Sequence, residues 1–143
     1  MKQVTIIDYG LSNILSIQRA VENIGYKVEI SENSEIISNA ELLILPGVGS
    51  FHDGMKELNK RNIPDAIIYY LKKGNPFLGI CLGMQMMLNK GFEVKETLGL
   101  GLINGEVTKL PVKDKDGTIK KIPHIGWNRI SYFEDENQIS DLK

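Results

Sequence analysis

Pro76-Phe77-Leu78-Gly79-Ile80-Cys81-Leu82-Gly83-Met84-Gln85-Met86-Met87-Leu88 is the stretch on which the reading of this chain turns. It begins as a short apolar run bounded upstream by Gly74, Asn75 and Pro76, which predicts a buried strand. It closes as a run of good helix formers, Leu82 to Leu88, which predicts a helix. A strand that passes directly into a helix needs a sharp bend, and the residue at the bend is pushed toward unusual backbone angles. Gly79 and Gly83 flank Cys81 and remove the side chains that would collide there. The pattern is that of a nucleophile elbow, G-x-S-x-G, with cysteine in place of serine.

That position carries chemistry. A cysteine at the first turn of a helix faces unpaired backbone N–H groups and the positive end of the helix dipole. Both favour the thiolate, which is the attacking species. The N–H of Leu82 points at the same spot and suits a developing oxyanion. The plainer alternative is that Cys81 is a small buried hydrophobe, the commoner fate of a free cysteine. The paired glycines and the strand-to-helix switch favour the nucleophile.

Outward from this stretch the chain alternates strand and helix. Val4 to Asp8 predicts a first strand, and Tyr9 to Ser12 a turn with Ser12 or Asn13 as helix cap. Ile14, Ile17, Val21 and Ile24 have helical spacing, and Gly25 suits the helix end. Tyr26 to Ile30 predicts a second strand, Ser34 to Ala40 a short helix capped by Ser34, and Leu42 to Leu45 a third strand buried on both faces. Pro64 opens a helix with Ile67, Ile68 and Leu71, and Gly74 ends it. Phe77 to Ile80 is the fourth strand. Apolar strands alternating with helices predict a parallel α/β sheet, whose functional residues gather at the carboxyl ends of the strands. Asp8, Pro46-Gly47 and Cys81 all lie at such ends. Beyond Gly99, the segments 102–110, 111–121 and 122–130 read as short strands, with Asp116-Gly117 turning a hairpin.

Bulk properties narrow the function classes. The 143 residues fit one domain, and 42% hydrophobic residues supply a sizeable core. Seventeen basic against 18 acidic residues leave a net charge of −1, which points to neither a nucleic-acid nor a membrane-surface partner. No apolar run is long enough to span a bilayer. Met1-Lys2-Gln3-Val4 leads straight into a strand without a signal peptide, and one cysteine forms no internal disulfide, so a cytoplasmic location is expected.

Gly79-Ile80-Cys81-Leu82-Gly83-Met84-Gln85 resembles the nucleophile segment of class I (triad-type) glutamine amidotransferases, G-x-C-x-G-x-Q. Three further stretches carry the resemblance. They are Asp8-Tyr9-Gly10 with Asn13, Leu45-Pro46-Gly47-Val48-Gly49, and Pro123-His124-Ile125-Gly126-Trp127-Asn128. In this order they resemble the glutaminase subunits of imidazole glycerol phosphate synthase, over Val4 to about Ile130. The resemblance implies a three-layer parallel-sheet (flavodoxin-like) amidotransferase fold, incomplete at the C-terminal end, with residues 1–143 a single partial domain. It implies Cys81 as the nucleophile attacking glutamine, and Gly47, Val48, Gly49, Leu82 and Gln85 as oxyanion and substrate contacts. Val48 or Gly49 would supply the second oxyanion donor. Asp8, Asn13, Pro123, His124 and Trp127 would face a (β/α)8-barrel cyclase subunit in a heterodimer that serves histidine biosynthesis. No metal or organic cofactor is implied. Ser12 stands where the family often has glycine, and Ile125 where methionine is usual.

Pro46-Gly47-Val48-Gly49 alone is more often a plain turn. Its functional reading is that the glycines let a peptide rotate and aim an N–H at substrate. Gly99, Gly101 and Gly105 do not follow a clear parallel strand and make a poor phosphate loop. Asp114 and Asp116 lack the later acidic ligand of a calcium loop. His52 and His124 with one cysteine form no recognisable zinc site. Trp127 by composition is as readily a core aromatic. The family's base and its orienting group lie in an H-x-E stretch that this sequence does not contain. The expectation is therefore a truncated chain, or a short form, with negligible glutaminase activity. The alternatives are a paralogue feeding ammonia to another synthase, such as one amidating a surface sugar, and a non-catalytic docking subunit.

Overall fold

A computed structural model describes residues 2–113, 116–119, 121–123, 125–127 and 129. These residues fall into two compact units, Met1–Lys109 and Leu110–Lys143. In the first unit four strands form one parallel sheet: β1 (Gln3–Ile7), β2 (Lys27–Ser31), β3 (Leu42–Leu45) and β4 (Phe77–Gly79). Their order is β2-β1-β3-β4. The chain leaves β1 toward β2 on one side and later returns to β3 on the other. The crevice between the carboxyl ends of β1 and β3 is thus a topological switch point, where open α/β sheets place their ligands.

Side-chain alternation assigns the two faces of the sheet. Val4, Ile6 and Ile44 pack with Val21 of α1 (Ile14–Asn23), which covers one face. Ile7, Leu43 and Leu45 point the other way into the larger core. They meet α2 (Ser34–Ser38), α3 (Phe51–Lys60), α4 (Ile63–Lys72) and α5 (Leu82–Met86) through Ile37, Phe51, Leu58, Ile67 and Leu82. The parallel α/β reading holds, and the four strands predicted for this sheet lie within a residue of their places, although β4, expected to be buried, is an edge strand with Leu78 exposed.

Several local expectations are corrected. Asn33, not Ser34, caps α2, because its side chain accepts from the N–H groups of Glu35 (2.8 Å) and Ile36 (3.3 Å). Asn13 occupies the N-cap position of α1 but makes no side-chain cap bond, and Ser12 makes none either. The α3 helix was not among the predicted elements. Ser50 caps it, accepting from Asp53 N–H at 3.1 Å, and Phe51, Met55 and Leu58 form its buried face. The helix after Cys81 stops at Met86 rather than Leu88. Leu88–Gly91 instead forms β5, the centre of a small second sheet between β6 (Thr97–Leu98) and β7 (Ile103–Val107). Backbone pairing on both edges of β5 overrides the helix propensity of Leu88. This sheet also accounts for the glycine-rich stretch beyond it. Gly99 N–H donates to Asn89 O at 2.8 Å, and Gly105 N–H to the Asn89 side chain at 2.8 Å.

In the second unit, Lys113 and Ile119 form one antiparallel bridge across the Asp116-Gly117 turn, as a hairpin there requires. The Asp116 carboxylate accepts from Thr118 N–H at 3.0 Å, an ordinary turn contact. Asp114 lies outside the described residues. The strand expected over 122–130 does not form among the described residues.

Candidate functional site

The site begins where β4 ends. Ile80 N–H donates to Leu45 O at 2.9 Å, carrying the β3–β4 pairing one residue past the strand. Gly83 N–H then donates to Ile80 O (3.0 Å) and Gln85 N–H to Cys81 O (3.1 Å), so helical bonding starts at once. Cys81 absorbs the change of direction at φ 53°, ψ −116°. That is the first central position of a type II′ turn, normally a glycine site. A non-glycine residue held there stores on the order of 1–3 kcal/mol. The thiol is exposed, which excludes the buried-hydrophobe alternative.

The flanking glycines are required by close approach. A Cβ on Gly79 would lie 2.7 Å from Met84 Cα and 2.8 Å from Met84 N. One on Gly83 would run into the Leu45 carbonyl, with its carbon at 2.7 Å. Both obstacles are backbone and cannot rotate away. Leu82 drives its side chain into the core, fixing the first turn of α5, while no acceptor for its N–H is found among the described residues. With only five residues, α5 adds little dipole, so the local N–H groups dominate the electrostatics.

The loop after β3 closes onto this turn. The Gly47 backbone abuts α5, since a Cβ built on it would be 3.0 Å from Gly83 N and 2.9 Å from Leu82 Cβ. The loop after β1 is stitched to it at two points. The buried Tyr9 hydroxyl donates to Pro46 O at 2.9 Å, and Val48 N–H donates to Leu11 O at 2.9 Å. Burial pushes the Tyr9 phenol well above its ordinary range, and the nearby Cys81 pushes it further. In this conformation the Val48 N–H is therefore engaged by Leu11 and not aimed at Cys81. Gly49 follows at φ 103°.

The structure thus sets Gly47 against the Leu82–Gly83 turn that follows Cys81, with Val48 and Gly49 continuing the same loop and Gln85 half-buried one turn along α5. Asp8 and Asn13 follow β1. Asp8 binds Gly10 N–H through its carboxylate (3.0 Å), and Asn13 is exposed. Pro123 and Trp127 belong to the second unit; Pro123 follows a cis peptide, and Trp127 is exposed rather than a core aromatic. His124 lies outside the described residues. His52, the one histidine among the described residues, has its Nδ1 3.2 Å from Thr97 Oγ1. The residue reading missed Tyr9 and the Leu11 carbonyl. Tyr9 had a signal, an aromatic with a polar tip at a strand carboxyl end. A backbone carbonyl has none.

Comparison with known proteins agrees with this geometry. The family model described as glutamine amidotransferase class-I matches residues 5–138. The chain is 49% identical over 130 residues to "Imidazole glycerol phosphate synthase subunit HisH 1" of Legionella pneumophila (strain Lens), covering 91% of this chain and 61% of that protein. It is 43% identical over 138 residues to the subunit HisH of Aquifex aeolicus (strain VF5), covering 96% and 63%. The chain therefore spans about three fifths of the length of these relatives. A solved structure titled as a glutamine amidotransferase superposes with a TM-score of 0.63 at 19% identity, over 73% of this chain and 55% of that one. A putative peptidase E of Listeria monocytogenes superposes at 0.57 with 17% identity, over 71% and 63%. At such identities these two show the fold alone. With the elbow cysteine, the abutting Pro46 loop and a family match that runs through nearly all of its residues, the chain belongs to the class-I glutamine amidotransferases.

Proposed function

We propose that this chain is the nucleophile-bearing part of the glutaminase subunit of a cytoplasmic imidazole glycerol phosphate synthase, in histidine biosynthesis. The Cys81 thiolate attacks the side-chain carboxamide carbon of glutamine. The Leu82 N–H, together with a Val48 or Gly49 N–H aimed by rotation of their peptides, holds the resulting oxyanion. The proton taken from the thiol passes to the amide nitrogen as collapse breaks the C–N bond, so that ammonia leaves and a thioester remains, which water hydrolyses to glutamate and free thiol. Gly47 and Gln85 line the substrate. Ammonia passes to a cyclase subunit, which docks over the loops at the carboxyl ends of the strands, including Asp8 and Asn13, and over Pro123, His124 and Trp127. The thiol proton needs a base, which in the family lies in an H-x-E stretch that this sequence does not contain.

The observation that carries this reading is the exposed Cys81 at positive φ with the Gly47 backbone against the same helical turn. The test is labelling with a glutamine-mimicking diazoketone, read by peptide mass spectrometry. Cys81 should be modified, glutamine should protect it, and Cys81→Ser should remain unlabelled. Modification unaffected by millimolar glutamine would refute the assignment. Because the base and its partner are absent from this sequence, glutamate release by the 143-residue chain with a cyclase subunit should be negligible. Turnover at the rate of a complete relative would overturn that expectation.

A further inference from the structure

We infer that Tyr9 is a positioning residue, whose buried hydroxyl pins the Pro46 carbonyl and so confines movement of the Pro46–Gly49 loop to its exposed half, beginning at the Gly47–Val48 peptide. The consequence for the oxyanion rests on the function proposed above; the pin itself does not.

The pin is one hydrogen bond from a rigid donor. Tyr9 is wholly buried and belongs to the larger core with Leu45, Phe51 and Leu82. Close packing holds its ring in place, and its hydroxyl donates to Pro46 O at 2.9 Å. A peptide is planar, so fixing the Pro46 carbonyl fixes the whole Pro46–Gly47 unit. The fit around Gly47 is equally close: a side chain there would collide with the Tyr9 hydroxyl and begin 2.9 Å from Leu82 Cβ. Burial then divides the loop. Pro46 and Gly47 are buried, whereas Val48 and Gly49 are exposed.

The exposed half is tied separately, by the Val48 N–H donating to Leu11 O at 2.9 Å. The Gly47–Val48 peptide turns about the Gly47 Cα–C and Val48 N–Cα bonds, and neither rotation moves the Pro46 carbonyl. The Val48 N–H can therefore leave Leu11 while Tyr9 keeps its hold. Without the hydroxyl the Pro46–Gly47 unit is loose as well, and its backbone has to be ordered each time an N–H is aimed at substrate. Tyr70 supplies a comparison within the same fold. It too is wholly buried, and its hydroxyl donates to another proline carbonyl, that of Pro76, ahead of β4 and outside this loop.

The test compares the full chain with Tyr9→Phe and Tyr70→Phe. Residue-resolved amide hydrogen exchange reads the pin. Val48 lies on an exposed stretch and exchanges by local opening, so its rate does not follow global stability. It should exchange about fivefold faster in Tyr9→Phe and at the parental rate in Tyr70→Phe. Ile6 and Ile44 in the central strands should quicken in both variants, by the global stability each loses. Labelling of Cys81 reads the consequence. The glutamine-mimicking diazoketone should react about tenfold more slowly with Tyr9→Phe, in limiting rate rather than in half-saturating concentration, the cost of ordering one more residue's backbone. Tyr70→Phe should react at the parental rate. Iodoacetamide, which needs no oxyanion donor, should label all three proteins at about the same rate. Unchanged Val48 exchange in folded Tyr9→Phe overturns the inference, and so does equal acceleration in Tyr70→Phe. Faster Val48 exchange with diazoketone labelling at the parental rate overturns the positioning role. If Tyr9→Phe does not fold, the parent decides: its Tyr9 hydroxyl proton should give a resolved NMR signal, and exchange as fast as that of free tyrosine overturns the inference. A parent that the diazoketone does not label counts against the proposed function, and the exchange measurement alone then judges the pin.

Discussion

Replacing Cys81 by glycine should make this protein more stable while removing its proposed nucleophile. Cys81 is held at φ 53°, ψ −116°, where its Cβ is in steric conflict with its own backbone. Relief of that strain is worth about 1–3 kcal/mol. Against it stands the extra freedom of glycine in the unfolded chain, about 0.5–1 kcal/mol. The thiol is exposed, so little buried apolar surface is forfeited. The balance is a gain of about 1 kcal/mol, which raises Tm by about 4 °C for a chain of this size. Cys81→Ala is the decisive control. It keeps the Cβ and the strain, and should melt within about 1 °C of the parent. Thermal melts of the three proteins followed by circular dichroism, with urea midpoints and slopes, make the comparison. A glycine variant that melts at or below the alanine variant would show that the backbone at position 81 carries no strain. The elbow argument would then fail.

Gly83→Ala presses a methyl group into the Leu45 carbonyl and should cost about 2–4 kcal/mol through overpacking and loss of the Ile80–Leu45 bond. A urea midpoint close to that of the parent would contradict the contact. Tyr9→Phe leaves Pro46 O without its donor and should cost about 1–2 kcal/mol at neutral pH. The same residue makes stability pH-dependent in a stated direction. Folding raises the phenol above its ordinary 10.0, so the unfolded chain ionises first. The contribution of Tyr9 is whole below about pH 10 and is lost as pH rises beyond it. Urea midpoints between pH 8 and 11 should therefore fall more steeply for the parent than for Tyr9→Phe. A residual slope is expected from Tyr70, whose phenol burial also raises. Equal slopes for the two proteins would refute the assignment.

Local signals were enough for most elements because they depend on neighbours in the chain. Leu42 to Leu45 reads as a buried strand from its own residues, and it is one. Ile14, Ile17 and Val21 declare the face that α1 turns to the sheet. The cap of α2 went to Asn33 rather than Ser34 because either side chain suits the position, and the backbone path chose between them. Leu88 was misread for a different reason. Its residue type favours helix, but it pairs with Ile103, 15 positions downstream, and no window around position 88 contains that partner.

By itself, the sequence determined that a cysteine stands between two glycines at a strand-to-helix bend, and that the other candidate loop follows a buried strand. Those facts depend on steric limits within a few residues. Only the tertiary structure decided that the thiol is exposed, that Gly47 lies against the turn carrying Leu82, and that Leu11 engages the Val48 N–H. These are meetings of β1, β3 and α5, segments tens of residues apart. Backbone N–H and C=O groups are the same in every residue but proline, so which of them pair is set by how the sheet is ordered and not by the letters of the chain.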